Sequence, residues 1–180
     1  ISGGAMTLLA TQTASGSASL SFTSGIDSTY DEYVFKFINI HPATGSNFTF
    51  QVDTGTNTSY NQTVTSTVFE AKHTENNSEA VLRYKADDDQ AQGSAFQKIA
   101  LGVGNDADSN CSGQLTIFNP SSTVFVKHFI ATTNNNKDND QSNNLPTAGY
   151  FNTTTALTRV RFKMASGNID AGTFKLYGIL

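Results

Sequence analysis

Residues 149–180 read GYFNTTTALTRVRFKMASGNIDAGTFKLYGIL, and this stretch decides the fold class. Two strand-like runs, residues 156–165 and 173–180, flank a loop of small and polar residues. In the first, Val160, Phe162 and Met164 alternate with Arg159, Arg161 and Lys163. In the second, Phe174, Leu176 and Leu180 are expected on one face, with Lys175 and Tyr177 on the other. Successive side chains of a strand point to opposite faces, so period-two alternation marks half-buried strands. A terminal run this apolar is expected to be built into a sheet rather than left fraying.

The rest of the chain repeats the pattern. Strands are expected over residues 7–13, 18–23, 32–40, 47–53, 62–71, 79–85, 95–103, 113–118, 123–132, 157–165 and 173–179. Ser15-Gly16, Ser24-Gly25, Thr54-Gly55, Asn76-Asn77 and Asn119-Pro120 supply turn chemistry between them. Within residues 60–70 a loop or a helical turn is the alternative to a strand. Short strands punctuated in this way indicate a sandwich or barrel. The expected fold is all-β, a jelly-roll-like antiparallel β-sandwich. Residues 6–180 form one domain, and residues 1–5 (Ile1-Ser2-Gly3-Gly4-Ala5) form a linker from an upstream region. No internal repeat or second domain is evident.

Some strands are apolar on both faces. Tyr33, Phe35 and Phe37 alternate with Val34, Ile38 and Ile40, and Val124, Val126 and Ile130 alternate with Phe125 and Phe129. Strands of this kind are covered on both sides, either within the domain or by a neighbouring chain. Residues 132–144 (TTNNNKDNDQSNN) contain no apolar side chain and read as a protruding solvent loop. Asn135 and Asn136 on this tip are candidate ligand-binding residues, because long loops kept by a scaffold are often binding loops.

Composition narrows the function. Charged residues make up 14% of the chain, against roughly 25% in ordinary soluble domains. Thr, Ser, Asn and Gln supply the missing polarity. The net charge of -4 argues against nucleic acid and anionic membrane surfaces as partners. No apolar run approaches the ~20 residues that span a bilayer. The single cysteine, Cys111, has no partner for an internal disulfide and no basic neighbour to activate it.

Catalytic signatures are not found. His41, His73 and His128 lack zinc-ligand spacing, and Gly102-Val103-Gly104 is a strand end rather than a phosphate cradle. Asp106, Asp108 and Asn110 place oxygen side chains at alternate positions, as a calcium loop does, but the Gly and distal Glu of an EF-hand are missing. A structural Ca²⁺ site there is the functional reading, and solvated loop charge is the preferred one. Arg159, Arg161, Lys163 and Lys175 are expected to form one basic row. It reads as a solvated face that blocks edge-to-edge pairing, with anionic glycans or acidic partner loops as the alternative. Tyr60, Tyr150 and Phe151 lie near turns and are candidates for stacking on sugar rings.

Both ends of the chain resemble bacteriophage virion proteins of the tail-fibre, receptor-binding or head-decoration kind. The residues that carry the resemblance are MTLLATQTA (6–14) with ASLSF (18–22), YDEYVFKF (30–37), and RVRFKMASGNIDAGTFKLYGI (159–179). It implies a structural protein of the virion that forms a homotrimer. Its expected partners are its own copies, other virion proteins and a host cell-surface glycan, bound through multivalent weak contacts. A carbohydrate-binding module of a secreted bacterial protein is the alternative. Such modules are monomeric and often use Trp, which this chain lacks.

Overall fold

A computed structural model describes residues 6–180. The linker expected over residues 1–5 lies outside the described residues. Twelve strands follow one another with no helix between them: β1 Thr7–Ser17, β2 Leu20–Phe22, β3 Glu32–Pro42, β4 Ser46–Thr54, β5 Val64–Thr74, β6 Ala80–Tyr84, β7 Gln97–Val103, β8 Cys111–Phe118, β9 Lys127–Lys137, β10 Gln141–Phe151, β11 Leu157–Met164 and β12 Ile169–Ile179. An eight-stranded sheet runs β1-β12-β3-β8-β9-β10-β5-β6, and a four-stranded sheet runs β2-β11-β4-β7. Every named pairing is antiparallel. The expected antiparallel β-sandwich is therefore present, jelly-roll-like in its two-sheet build but with one sheet twice the width of the other.

The core between the sheets is aromatic. Phe162 of β11 sits among Phe35, Phe37, Phe48 and Phe174, with ring centroids 5.1–5.9 Å apart. The pairs with Phe35 and Phe37 are edge-to-face, an arrangement favoured by the ring quadrupole, and the pair with Phe48 is stacked. Alternation in β11 and β12 holds as read: Val160, Phe162, Met164, Phe174 and Leu176 are buried. β12 lies between β1 and β3, so the terminal run is indeed built into a sheet. Leu180, expected on the core face, lies just past the strand and is 80% exposed.

Several expectations change. Residues 132–144 are not a loop. They are the ends of β9 and β10, paired in register from Lys137↔Gln141 to Thr132↔Pro146. The turn is only Asp138, Asn139 and Asp140, with Asp140 at φ 54°. Such a three-residue hairpin places its last residue in the left-handed region that Asn and Asp tolerate best. β10 was therefore missing from the expected strands. Val124 and Phe125 precede β9 and are 69% and 70% exposed. Strict alternation puts Ile40 on the face of Val34, opposite Phe35 and Phe37. A bulge at Asn39 (φ 53°) shifts the register between Phe37 and Ile40 and turns Ile40 into the core. The segment of uncertain type enters β5 at Val64.

Candidate functional site

The Asn/Thr-rich hairpin has a structural use. β7 is an edge strand of the small sheet, and its outward carbonyls face the inner side of β9 and β10. Thr133 donates its hydroxyl to the Ile99 carbonyl. Asn135 Nδ2 and Asn143 Nδ2 both donate to the Leu101 carbonyl at 3.2 Å. All three side chains are at most 1% exposed. Inward polar side chains thus seal a sheet edge that would otherwise bury unpaired carbonyls. Asn135 has no surface to offer a ligand. Asn136, half-buried, accepts from the Asn110 backbone N–H at 2.8 Å and donates to Ser109 Oγ at 3.0 Å.

Tyr60 and Phe151 are also buried, at 2% and 0% exposure, so neither ring can stack on a sugar. Tyr60 instead lies under Arg161, whose guanidinium carbon is 3.9 Å from the ring centroid. Its backbone N–H donates to Asp53 Oδ2 at 2.8 Å. Tyr150 alone among the aromatic candidates is partly open. It pairs across strands with His128, with ring centroids 5.9 Å apart.

Asp106 and Asp108 are exposed on the turn between β7 and β8. Asn110 Nδ2 donates to the Asp108 carbonyl at 3.2 Å, so its amide closes the turn. Among the described residues no group of three or more His, Cys, Asp or Glu side chains converges as a metal site would. The basic row is shorter than expected. Arg159, Arg161 and Lys163 share the outer face of β11, but Lys175 belongs to β12 in the other sheet. Lys163 sits over the Phe96 ring at 4.4 Å, and Arg159 and Arg161 spend their Nε on the Gly55 carbonyl and Ser21 Oγ.

The open surface lies on the outer face of the eight-stranded sheet. Leu8, Ile38, Phe69, Leu82, Tyr84 and Ile130 all project from it, at 42–79% exposure. A groove of about 490 Å³ runs over β8, β9, β10 and β5, with Phe118, His128, Ile130, Ala148 and Tyr150 in its lining and Thr65 and Thr67 along one side. The two-faced apolar pattern of β3 and β9 marks part of this face in the sequence, through Ile38 and Ile130. Its residues are scattered over seven strands and meet only through register.

Ionisable groups off this face are held by ordinary structural pairing. Burial alone would raise the Glu70 carboxyl, but Arg83 (2.7 Å) and Lys137 (3.2 Å) outweigh it and hold it below the usual value. Asp88 is likewise pulled down, against burial, by Lys98 and Lys85. Burial pushes the Cys111 thiol up to about 12, which removes it as a nucleophile. Lys127 is fully buried, with its ammonium on the Thr153 and Thr155 carbonyls, and burial lowers its pKa.

No family model matches this sequence, and no curated protein matches it. Two solved chains match. One is a structural-genomics protein of unknown function from Bacteroides ovatus, 6% identical over 59% of this chain, with a TM-score of 0.31. This chain covers 46% of that protein's length, and so slight a likeness carries no argument about either molecule.

Proposed function

We propose that this chain is a structural protein of a bacteriophage particle, a fibre or capsid-decoration domain that works by binding rather than by chemistry. The observation that supports this reading is the apolar outer face of the wide sheet. Side chains such as Ile130 (53% exposed) and Leu82 (79%) are left uncovered there. Monomeric proteins seldom leave such side chains in one contiguous patch, whereas assembly proteins do. Its partners are further copies of itself and neighbouring virion proteins, and the fibre resemblance implies three copies. A host-surface glycan is a further ligand in the same reading.

The test is the solution mass at low micromolar concentration, measured by light scattering after size exclusion. A multiple of 19.3 kDa supports the assembly reading. A single-chain mass contradicts it and favours a carbohydrate-binding module. The observation behind that second reading is the Tyr150–His128 wall of the groove, with the Thr65 and Thr67 hydroxyls beside it. An aromatic face beside hydrogen-bonding hydroxyls suits a sugar ring. Glycan binding lost in Tyr150→Ala would then identify the site.

A further inference from the structure

The outer face of the eight-stranded sheet carries a charge pattern that no contact within the chain explains. Lys36 of β3 and Lys175 of β12 are direct cross-strand neighbours. Like charges in that position repel. Among the described residues neither lysine has a carboxylate within ion-pair reach, and Glu32 has no cation within such reach. Glu32 projects from the same face of the same strand, but four residues from Lys36, about 13 Å at ~3.3 Å per residue. That is too far to pair.

Val34 lies midway between them. It belongs to a row that crosses the sheet through directly paired residues: Tyr177, Val34, Thr116, Ile130 and Ala148. The row is apolar or small throughout. A two-fold axis along it maps the row onto itself and exchanges the rows on either side. Glu32 of one copy then stands over Lys36 of the other, beside Lys175, and Ile130 meets the second copy's Ile130 on the axis. Tyr150 falls over the partner's Pro146, since the two flank Ala148 on β10.

We propose that this face pairs with the same face of a second copy of this chain about that two-fold axis. The proposal rests on the self-association reading above. It departs from the three copies implied by the fibre resemblance, because a surface complementary to itself makes an isologous, two-fold contact. Face-to-face sheets of this kind pack about 10 Å apart, which the partly exposed Ile130 and Phe69 side chains suit.

The two-fold register makes a prediction that general stickiness does not. In Glu32→Lys the exchanged rows are both basic, and in Lys36→Glu/Lys175→Glu both are acidic. Each variant alone should lose the wild-type dimer, with its dissociation constant raised at least tenfold. Mixed in equal amounts, the two should form a one-to-one dimer, because every cross-axis contact is then opposite in sign. Light scattering reads all three samples, and recovery on mixing shows that both variants are folded. A wild-type mass of three chains would overturn the two-fold while leaving assembly intact. A wild-type mass of one chain would overturn both. Variants that keep the wild-type mass, or a mixture that stays monomeric, would overturn this register alone.

Discussion

Asn135 and Asn143 donate to one acceptor, and that sharing predicts a particular kind of non-additivity. Each amide reaches the Leu101 carbonyl at 3.2 Å. In Asn135→Ala the carbonyl keeps the Asn143 amide, and in Asn143→Ala it keeps the Asn135 amide. Asn143→Ala therefore costs one net hydrogen bond, about 1 kcal/mol, and Asn135→Ala a little more, because that amide also reaches the Asn136 and Gly102 carbonyls at 3.3 and 3.4 Å. Each also deletes an Oδ1 that is buried without a partner, which trims the cost. The double change is different in kind. It leaves the carbonyl of a buried edge strand with neither amide, a desolvation penalty of about 1–3 kcal/mol beyond the two lost bonds. The expected result is a pair of mild single variants and a double variant about 1–2 kcal/mol worse than their sum. Urea unfolding of the four proteins, with equal m-values, measures the cycle. Additive or less-than-additive losses would refute the shared acceptor, and with it the account of this hairpin as an edge seal.

Three further outcomes follow from described contacts. The Glu70 carboxyl is held below its unfolded value, so its stabilisation is full above about pH 4.5 and is lost as pH falls through the lowered folded value. Comparing the acid unfolding of wild type and Glu70→Gln should show a steeper loss in wild type, and about 2 kcal/mol less stability for the variant at pH 7. Burial depresses Lys127, so the folded chain releases that proton before the unfolded chain does. Wild-type stability relative to Lys127→Met should therefore rise as pH climbs from the lowered value towards 10.5, and a flat difference would contradict a charged, buried lysine. Gly172 has φ +133°, and an added Cβ would lie 2.7 Å from Ile40 Cδ1 and 2.9 Å from the Asn39 carbonyl oxygen. Gly172→Ala should lower stability by about 2 kcal/mol or more in thermal or urea unfolding, because backbone and core must both shift.

The legible parts of the sequence were those whose burial is written in apolar side chains. β11 and β12 alternate cleanly, and their inward residues form the aromatic core. The Asn-rich tract failed that test for a physical reason. Its inward positions, Thr133, Asn135 and Asn143, face backbone carbonyls of β7, so the fitting side chain there is an amide or hydroxyl. A rule that equates strands with apolar alternation passes over such a hairpin. The Asn39 bulge was equally hidden, since a register shift moves Ile40 to the other face without altering composition. Of the aromatic candidates, turn proximity suggested exposure for Tyr60 and Phe151, but Arg161 lies over Tyr60 and the Phe50 and Phe129 rings pack on Phe151. The two-faced pattern of β3 and β9 showed part of the apolar outer face, through Ile38 and Ile130, but its full extent, assembled by register from distant strands, could be seen only once the pairings were known.

The seat of β12 between β1 and β3 has a consequence for synthesis. Phe37 waits for Phe174, and Gln12 for the same residue from the other side. Until the last strand leaves the ribosome, two long edges face each other across an empty lane, each able to template the wrong partner. A stalled or truncated chain would therefore be an aggregation seed rather than a smaller sandwich. The same vacancy offers a handle, because a synthetic peptide with the sequence of residues 169–179 fits the open lane and should complete the sheet in trans.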